Sequence, residues 1–276
     1  MAKAFSKLST RVIVAVLGIP LVVIVSLYGK YLFLVFAAFI GLVSFHEFSK
    51  MVKNRKYFTN NLVGYLAIVA IILNEYKTFI DFKILFFLIV AVLLLFELFR
   101  NKESAVSNLG ASLLGIFYIG FFSSALVSLR EFYNDSIFVY SQGGYLIISI
   151  LVSIWICDSA AYFLGTAYGK NKLMPRVSPN KSWEGAFAGF VFSIIGMLAC
   201  KSIMADFLSW SDAIVIGLIV GTVGQIGDLI ESLIKRDTFV KDSSSIIPGH
   251  GGIFDRFDSL LFSAPVVYLY LSYIAK

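Results

Sequence analysis

The chain contains little charge and almost no cysteine. Only 14% of its 276 residues are Asp, Glu, Lys or Arg, whereas soluble domains contain about 25%, and this excludes an ordinary soluble domain. The two cysteines, Cys157 and Cys200, both fall within apolar stretches, which excludes a disulfide framework or a zinc site built on cysteine pairs. The sequence also lacks internal repeats, heptads and low-complexity tracts. We therefore expect an integral membrane protein.

A cleavage site for a signal peptide is missing as well. Lys3, Lys7 and Arg11 precede an apolar run, as basic residues do in a signal peptide. No small-residue cleavage pattern follows, however, and the run continues to Tyr28. We expect this segment to be retained as the first membrane helix.

Hydrophobic residues make up 59% of the chain and are concentrated in nine apolar stretches. Most of these approach the roughly 20 residues that a helix needs to cross a membrane, although the third is short. The run Ile84–Phe99 lacks two-residue alternation, which favours helices over the strands of an outer-membrane barrel. The predicted fold is all-α and polytopic, with about nine transmembrane helices. They cover roughly residues 12–28, 31–46, 61–74, 82–99, 109–129, 145–168, 185–200, 212–234 and 259–275.

The distribution of positive charge predicts the orientation. If all nine stretches cross the membrane, 17 of the 23 Lys and Arg residues fall on the side of the N-terminus. The positive-inside rule then places the N-terminus in the cytoplasm, with the protein in the cell inner or plasma membrane. The same bias accounts for most of the net charge of +6, so no nucleic-acid partner is expected.

Unusual polar residues are concentrated in the second half. Before Leu129 the apolar stretches are nearly free of buried charge, and we interpret His46 and Glu47 as interfacial residues near the end of the second stretch. We predict two regions, a transmembrane scaffold at residues 1–130 and a catalytic transmembrane region at residues 131–276. A homodimer through the scaffold is a further expectation.

Asp158 lies within the sixth apolar stretch, roughly 15 Å from its cytoplasmic end at about 1.5 Å per residue. On a helix it shares a face with Ala161, Tyr162 and Gly165. A carboxylate inside the membrane costs roughly 2.5–3.5 kcal/mol on insertion scales, so we expect an interaction or a function that offsets this cost. Either it bonds a neighbouring helix for structure, or it faces a ligand.

The eighth stretch has a polar face of its own. Asp228, Glu231 and Lys235 follow one another at i, i+3 and i+7, with Gly221 and Gly224 near the same face. Asp228 reaches a depth similar to that of Asp158 in the sixth stretch. Two buried carboxylates repel each other, and a divalent cation would remove that cost.

The loop between the sixth and seventh stretches is basic. Its segment Ser178–Ser182 predicts a short turn, Ser182 is a candidate N-cap, and Glu184 falls in the first turn of the next helix. Free N–H groups at a helix N-terminus can bind phosphate. The positive-inside bias alone explains such a loop equally well.

The segment Ser232–Asp258 carries the most specific pattern, SLIKRDTFVKDSSSIIPGHGGIFDRFD. Cations and carboxylates alternate there around a Gly-His-Gly-Gly turn. The pattern resembles the motif of the CDP-diacylglycerol synthases, also called phosphatidate cytidylyltransferases. The resemblance extends to the Asp158 segment and to residues 178–185, whereas the first five stretches match only in general character.

The resemblance implies transfer of CMP from CTP to phosphatidate, with Mg²⁺ required and with membrane lipids as neighbours. Carboxylate oxygens suit Mg²⁺, and Asp228 and Asp255 are the preferred ligands, with Asp258 or Glu231 next. Under this resemblance the expected catalytic residues are Asp228, Asp255, Lys235, Arg236 and Asp258. The residues expected to contact the substrates are Asp158, Ser178, Lys181, Ser182, Lys241, Asp242, His250, Gly251, Gly252 and Arg256.

His250 invites assignment as a general base. The attacking phosphate oxygen is already ionised near neutral pH, however, so no proton has to be removed from it. We expect His250 to orient a phosphate or a metal ligand instead.

Two other functions fit parts of the pattern. An ion-coupled transporter also has buried aspartates and glycine-rich helices, but it would show broken helices in two related halves. A CTP-dependent lipid kinase would use the same substrates and release CDP instead of pyrophosphate.

Overall fold

The computed structural model describes residues 2–134 and 139–275, with side chains described from residue 12 onward. The outermost residues of the two predicted regions, 1 and 276, therefore lie outside the described residues. Helices account for 77% of the chain, which confirms a mostly helical fold. The helices of the first half are α1 (Ala2–Tyr28), α2 (Lys30–Val52), α3 (Asn61–Tyr76), α4 (Phe82–Leu98), α5 (Ala105–Leu114) and α6 (Phe122–Arg130). Those of the second half are α7 (Tyr140–Tyr168), α8 (Trp183–Ile203), α9 (Trp210–Ile219), α10 (Gln225–Asp237) and α11 (Phe254–Tyr273).

Two long helices contain a wider π-helical section. Gly115–Phe121 joins α5 to α6, and Val220–Gly224 joins α9 to α10. A single 3₁₀ turn, Lys53–Arg55, extends α2. A π-helical turn contains an extra residue, so it rotates everything that follows it about the helix axis.

Five helical stretches among the described residues are long and apolar enough to cross a membrane. They are Lys30–Arg55, Ala105–Arg130, Tyr140–Tyr168, Trp183–Ile203 and Trp210–Asp237. Val12–Tyr28 and Asn61–Tyr76 are shorter apolar helices. The third predicted stretch is thus short in the structure as well.

A small β-hairpin precedes α8 and adds to the predicted all-α fold. The prediction of a turn at Ser178–Ser182 is wrong, because this segment forms strand β2 and pairs antiparallel with β1, Lys172–Met174. The turn comes earlier, where the N–H of Val177 donates to the carbonyl oxygen of Met174 at 3.0 Å. Pro175 occupies its second position, where the fixed φ of proline favours a β-turn.

The structure divides into two compact units. The first comprises the chain up to Val25, Lys30–Ser128 and Lys235–Phe257, and the second comprises Ser26–Gly29, Leu129–Ile234 and the chain from Asp258 onward. This division follows contacts and not chemistry, so the predicted scaffold and catalytic regions stay a prediction.

In the first unit, α2 is held rigidly by its aromatic side chains. Phe45 and Phe48 are fully buried, and both reach a glycine on a neighbouring segment. A Cβ atom at Gly64 would lie 2.2 Å from the ring of Phe45, and one at Gly115 would lie 2.9 Å from the ring of Phe48. This close packing fixes the backbone between the two phenylalanines, which includes Glu47.

In the second unit, Arg130 is a fully buried cation at the end of α6. Its guanidinium donates to the carbonyl oxygens of Ser26 at 2.5 Å, Leu27 at 3.0 Å and Tyr140 at 3.0 Å. A cation beside the last carbonyls of a helix is favourable, and here it joins the end of α1 to the start of α7. Gly29, with a φ of 67°, leaves room for the guanidinium group.

Candidate active site

The second unit encloses a cavity of about 510 Å³, formed by residues of α7, the β-hairpin, α8 and α10. Asp158, Ala161, Tyr162 and Gly165, which the sequence places on one face of a helix, all line it. The other polar residues of its wall include Lys172, Asn180, Lys181, Ser182, Gln225 and Asp228. Asp158 thus faces a space large enough for a ligand.

The β-hairpin and the start of α8 position the cationic side of this cavity. Ser182 is the N-cap of α8 and accepts a hydrogen bond from the N–H of Gly185 at 3.2 Å, as its sequence position predicts. Glu184 accepts from the side-chain amide of Asn171 at 2.8 Å, which ties the hairpin to the helix. Lys181, one residue before the cap, is held at the cavity wall as a result.

Lys181 forms an ion pair with Asp228 across the cavity. About a third of each side chain is exposed, 31% and 32% respectively, so both groups are accessible from the cavity. The other oxygen of Asp228, Oδ1, lies 3.5 Å from the hydroxyl of Ser232. The pair offers one positive and one negative group to a ligand.

Asp228 also belongs to a group of three carboxylates with Glu231 and Asp258. One oxygen from each lies within 4.8 Å of the others, and Glu231 and Asp258 are 0% and 8% exposed. Asp228 and Glu231 are three residues apart on α10, so they face the same side, and Asp258 comes from the first turns of α11. The arrangement could hold a metal ion.

The three carboxylates fit a hard divalent cation. Three negative charges this close together repel one another, and a bound cation would offset that repulsion. The spread of their oxygens is comparable to the ~4–5 Å that separates opposite ligands around one Mg²⁺ or Ca²⁺ ion. All three are among the candidate ligands expected from the sequence, where Asp228 was preferred and Asp258 and Glu231 came next.

Asp255, the other preferred metal ligand, lies in the first unit. Its Oδ1 accepts from Lys235 Nζ at 2.6 Å, and its Oδ2 accepts from the N–H and hydroxyl of Ser243 and from the N–H of Gly252 at 2.8–2.9 Å. The side chains of Asp255 and Lys235 are 5% and 12% exposed. Asp255 therefore anchors the terminal loop, by which we mean Lys235–Phe257, and it fixes the ammonium group of Lys235.

Glu47 of α2 contacts this loop, and the sequence interpretation missed that contact. The expectation of an interfacial role is wrong, because Glu47 is 0% exposed and accepts hydrogen bonds from the terminal loop. Its partners lie about 200 residues further along the chain, and no local pattern in the sequence indicates them.

The remaining predicted residues of the first unit lie at or near the loop surface. Arg236, Lys241, Asp242 and Arg256 are exposed, and His250 is half-buried. The Nδ1 atom of His250 is buried and has no hydrogen-bond partner among the described residues. Gly251 adopts a φ of 88°, which favours glycine. In the second unit, Ser178 is half-buried at the start of β2.

Close packing of α7 on α8 shapes the cavity. A Cβ atom at Gly185 would lie 2.7 Å from the carbonyl oxygen of Ala161 and 3.0 Å from the Cα atom of Gly165, and backbone atoms cannot move aside cheaply. We expect Gly185→Ala to separate the two helices and to lower both the melting temperature and the turnover of the purified protein. Gly110→Ala is the matched control, since nothing lies within 4 Å of a Cβ atom there and alanine stabilises a helix by about 1 kcal/mol relative to glycine. Equal behaviour of the two variants in thermal unfolding would contradict the role given to Gly185.

Comparison with known proteins agrees with this chemistry. The sequence model of the cytidylyltransferase family matches residues 9–274. Proteins named phosphatidate cytidylyltransferase from Brucella suis and Bacillus subtilis are 33% and 31% identical to the chain, over 98% and 96% of its length. The matches cover 96% and 97% of those relatives, and one from Staphylococcus epidermidis is 30% identical over 96% of the chain and 99% of its own length. The chain belongs to the cytidylyltransferase family.

Proposed function

We propose that this chain transfers CMP from CTP to phosphatidate and so forms CDP-diacylglycerol and pyrophosphate. Relatives that are named for this activity match the chain over nearly their whole length. The structural observation that supports it is the second unit's cavity, where Asp228 pairs with Lys181 and also belongs to a group of three carboxylates that fits a divalent cation. A site of this kind suits the handling of phosphate groups.

The reaction joins two anions. An oxygen of the lipid phosphate attacks the α-phosphorus of CTP, a new P–O bond forms, and the bond to the β-phosphate oxygen breaks as pyrophosphate leaves. A phosphate monoester has a second pKa of about 6, so the attacking oxygen needs no base. The main obstacle is electrostatic repulsion, and catalysis consists of positioning the reactants and stabilising their charge.

Asp228, Glu231 and Asp258 would hold Mg²⁺ in this proposal. When bound, the ion supplies positive charge to the phosphate oxygens and stabilises the charge of the transition state. Lys181 exchanges its contact with Asp228 for a phosphate oxygen of the substrate. The hydroxyl of Ser182, which accepts from Gly185, still has its own proton to donate.

The terminal loop contributes further cations. We propose that Lys235, oriented by Asp255, contacts a phosphate group, and that the exposed Arg236, Lys241 and Arg256 do so as well. Guanidinium groups suit bidentate contacts with phosphate. A direct role of Asp255 in metal binding stays a prediction.

The proposal includes a topology. All nine helical stretches cross the cell membrane, the N-terminus lies in the cytoplasm, and the site opens to the cytoplasm. The excess of Lys and Arg in the loops on the side of the N-terminus supports this orientation. CTP then reaches the site from the cytoplasm and phosphatidate from the bilayer. A homodimer through the first five stretches remains a prediction.

The activity is tested with the purified full-length protein in vesicles containing phosphatidate, with Mg²⁺ and labelled CTP. Label at the α-phosphate should enter the lipid, and label at the γ-phosphate should leave in pyrophosphate. Transfer of the γ-label to lipid, with release of CDP, would identify a lipid kinase instead. Absence of both products from an otherwise folded protein would refute the proposal.

The same assay tests the orientation, because CTP does not cross a lipid bilayer. Inside-out membrane vesicles should be active without detergent, whereas right-side-out vesicles should become active only after permeabilisation. The reverse pattern would place the site on the opposite face.

A further inference from the structure

Glu47 is a buried carboxylate on α2 whose hydrogen-bond partners all lie in the terminal loop. Its Oε1 accepts from the hydroxyl of Ser244 at 2.5 Å and from the N–H of Ile253 at 3.0 Å. Its Oε2 accepts from the hydroxyl of Ser243 at 3.0 Å and from the N–H of Phe254 at 2.8 Å. Both oxygens of one side chain are thus used to hold a segment about 200 residues away in sequence.

The contacts of Glu47 suit a side chain whose two oxygens both accept hydrogen bonds. Two of its four donors are backbone N–H groups at the start of α11, a helix of 20 residues. Such groups have no partner within the helix, and the helix dipole favours a negative charge beside them. Glu47 therefore caps α11 from a different helix. A glutamine would have to turn its amide donor toward a donor on one of the two sides.

The contacts of Glu47 lead directly to Asp255. The hydroxyl of Ser243 lies 3.0 Å from Glu47 Oε2 and 2.8 Å from Asp255 Oδ2. Its single proton is shared between the two carboxylates, and in this way Ser243 links them. Gly252 packs directly against both side chains. A Cβ atom there would lie 2.5 Å from both oxygens of Glu47 and 2.0 Å from the Ser243 hydroxyl. Asp255 in turn holds Lys235 Nζ at 2.6 Å.

We propose that Glu47 is a positioning residue for the transfer reaction, which fixes the terminal loop so that Asp255 holds Lys235 in its working position. The proposal rests on the function proposed above. Glu47 touches neither substrate nor metal in this account. It acts through Ser243 and through the backbone at the start of α11.

A structural role alone would have different consequences. A carboxylate that only stabilises the fold lowers the melting temperature when it is replaced, and the remaining folded protein turns over normally. A positioning residue changes the turnover of the folded protein. A displacement of about 1 Å at reacting groups can cost roughly 100-fold in rate.

The experiment compares Glu47→Gln with Glu97→Gln in the full-length protein in vesicles. Glu97 is a matched control, because it is also a buried carboxylate of the first unit, 7% exposed, and it accepts from Asn108 at 2.7 Å and not from the terminal loop. We expect Glu47→Gln to lower kcat by roughly 10- to 100-fold, with the KM for CTP within about threefold of wild type. Glu47→Asp, which keeps the charge, should recover part of kcat, and Glu97→Gln should keep the wild-type value.

Hydrogen exchange provides a readout that is independent of activity. In the wild type the amides of Ile253 and Phe254 should be protected, and in Glu47→Gln they should exchange at least about tenfold faster. If the wild type forms no CDP-lipid, the proposed function fails while this test of the contact still stands. If Glu47→Gln does not fold, Ser244→Ala replaces it, because that change removes one donor and keeps the carboxylate.

Three results would overturn the proposal. The first is a kcat of Glu47→Gln within about threefold of that of Glu97→Gln. The second is rapid exchange of the Ile253 and Phe254 amides in the wild type. The third, where Ser244→Ala has to be used, is unchanged kcat together with unchanged exchange at Ile253.

Discussion

Asp258→Asn should reduce turnover by roughly 100- to 1,000-fold, the range observed when one transition-state-stabilising group is removed. Asp258 is 8% exposed and one of its oxygens lies within 4.8 Å of oxygens from Asp228 and Glu231. Asparagine keeps the shape and removes the charge, so the group loses one of its three negative charges. Asp228→Asn should behave similarly, with the added effect that Lys181 loses its partner.

The measurement is pyrophosphate release as a function of Mg²⁺ concentration, at saturating CTP and phosphatidate. If the replaced aspartate binds the ion, its loss should raise the Mg²⁺ concentration for half-maximal activity in addition to lowering kcat. Replacement of an aspartate with a purely structural role would not change that concentration. Asp206→Asn is the control, because Asp206 is an exposed aspartate of the same unit. Retention of kcat within about threefold by both Asp258→Asn and Asp228→Asn would refute the assignment of the metal site.

Much of the helical fold follows from composition. Each of the nine apolar stretches lies in a helix of the structure, because a long apolar segment with few charges has only one good way to satisfy its backbone in a membrane. The number of stretches that cross is a different question. It depends on flanking residues and on packing, and five stretches meet the criteria of length and composition.

Helical periodicity was enough to predict which polar residues of α7 face together. Asp158, Ala161, Tyr162 and Gly165 line one cavity as expected, because α7 is an unbroken α-helix. A Cβ atom at Gly221 would lie 2.9 Å from the Cα atom of Phe190 in α8, and Asp228 pairs with Lys181 just before α8. The periodicity could not predict the π-helical section Val220–Gly224 itself.

The candidate metal site and the terminal loop needed tertiary information for different reasons. The spacing of Asp228 and Glu231 indicates that they share a face of one helix, but the third carboxylate, Asp258, comes from another helix. The role of Glu47 depends on contacts with residues 196 to 207 positions away. Local periodicity carries no information about such pairs, and a lone Glu near a helix end is more often solvated.

The second large effect is expected for Asp255→Asn, with a loss of kcat of about 100-fold or more. The pair Asp255–Lys235 is nearly buried, and removal of one partner from a buried ion pair costs about 3–5 kcal/mol, of which part would appear as lost activity. The amide group of asparagine would also place a donor against Lys235 or against the N–H groups of Ser243 and Gly252. Lys235 would then be released from the position in which Asp255 holds it.

His250→Gln is the informative partner of this variant, since both residues belong to the same loop. The Nδ1 atom of His250 has no hydrogen-bond partner among the described residues, and the attacking phosphate oxygen needs no base. We expect His250→Gln to keep kcat within about tenfold of the wild type, and to keep the shape of the pH–rate profile, because no proton transfer depends on the imidazole. Loss of activity to the same background in His250→Gln and Asp255→Asn would contradict this distinction. In that case the loop would act as one unit, and the separate role of the Asp255–Lys235 pair would have to be abandoned.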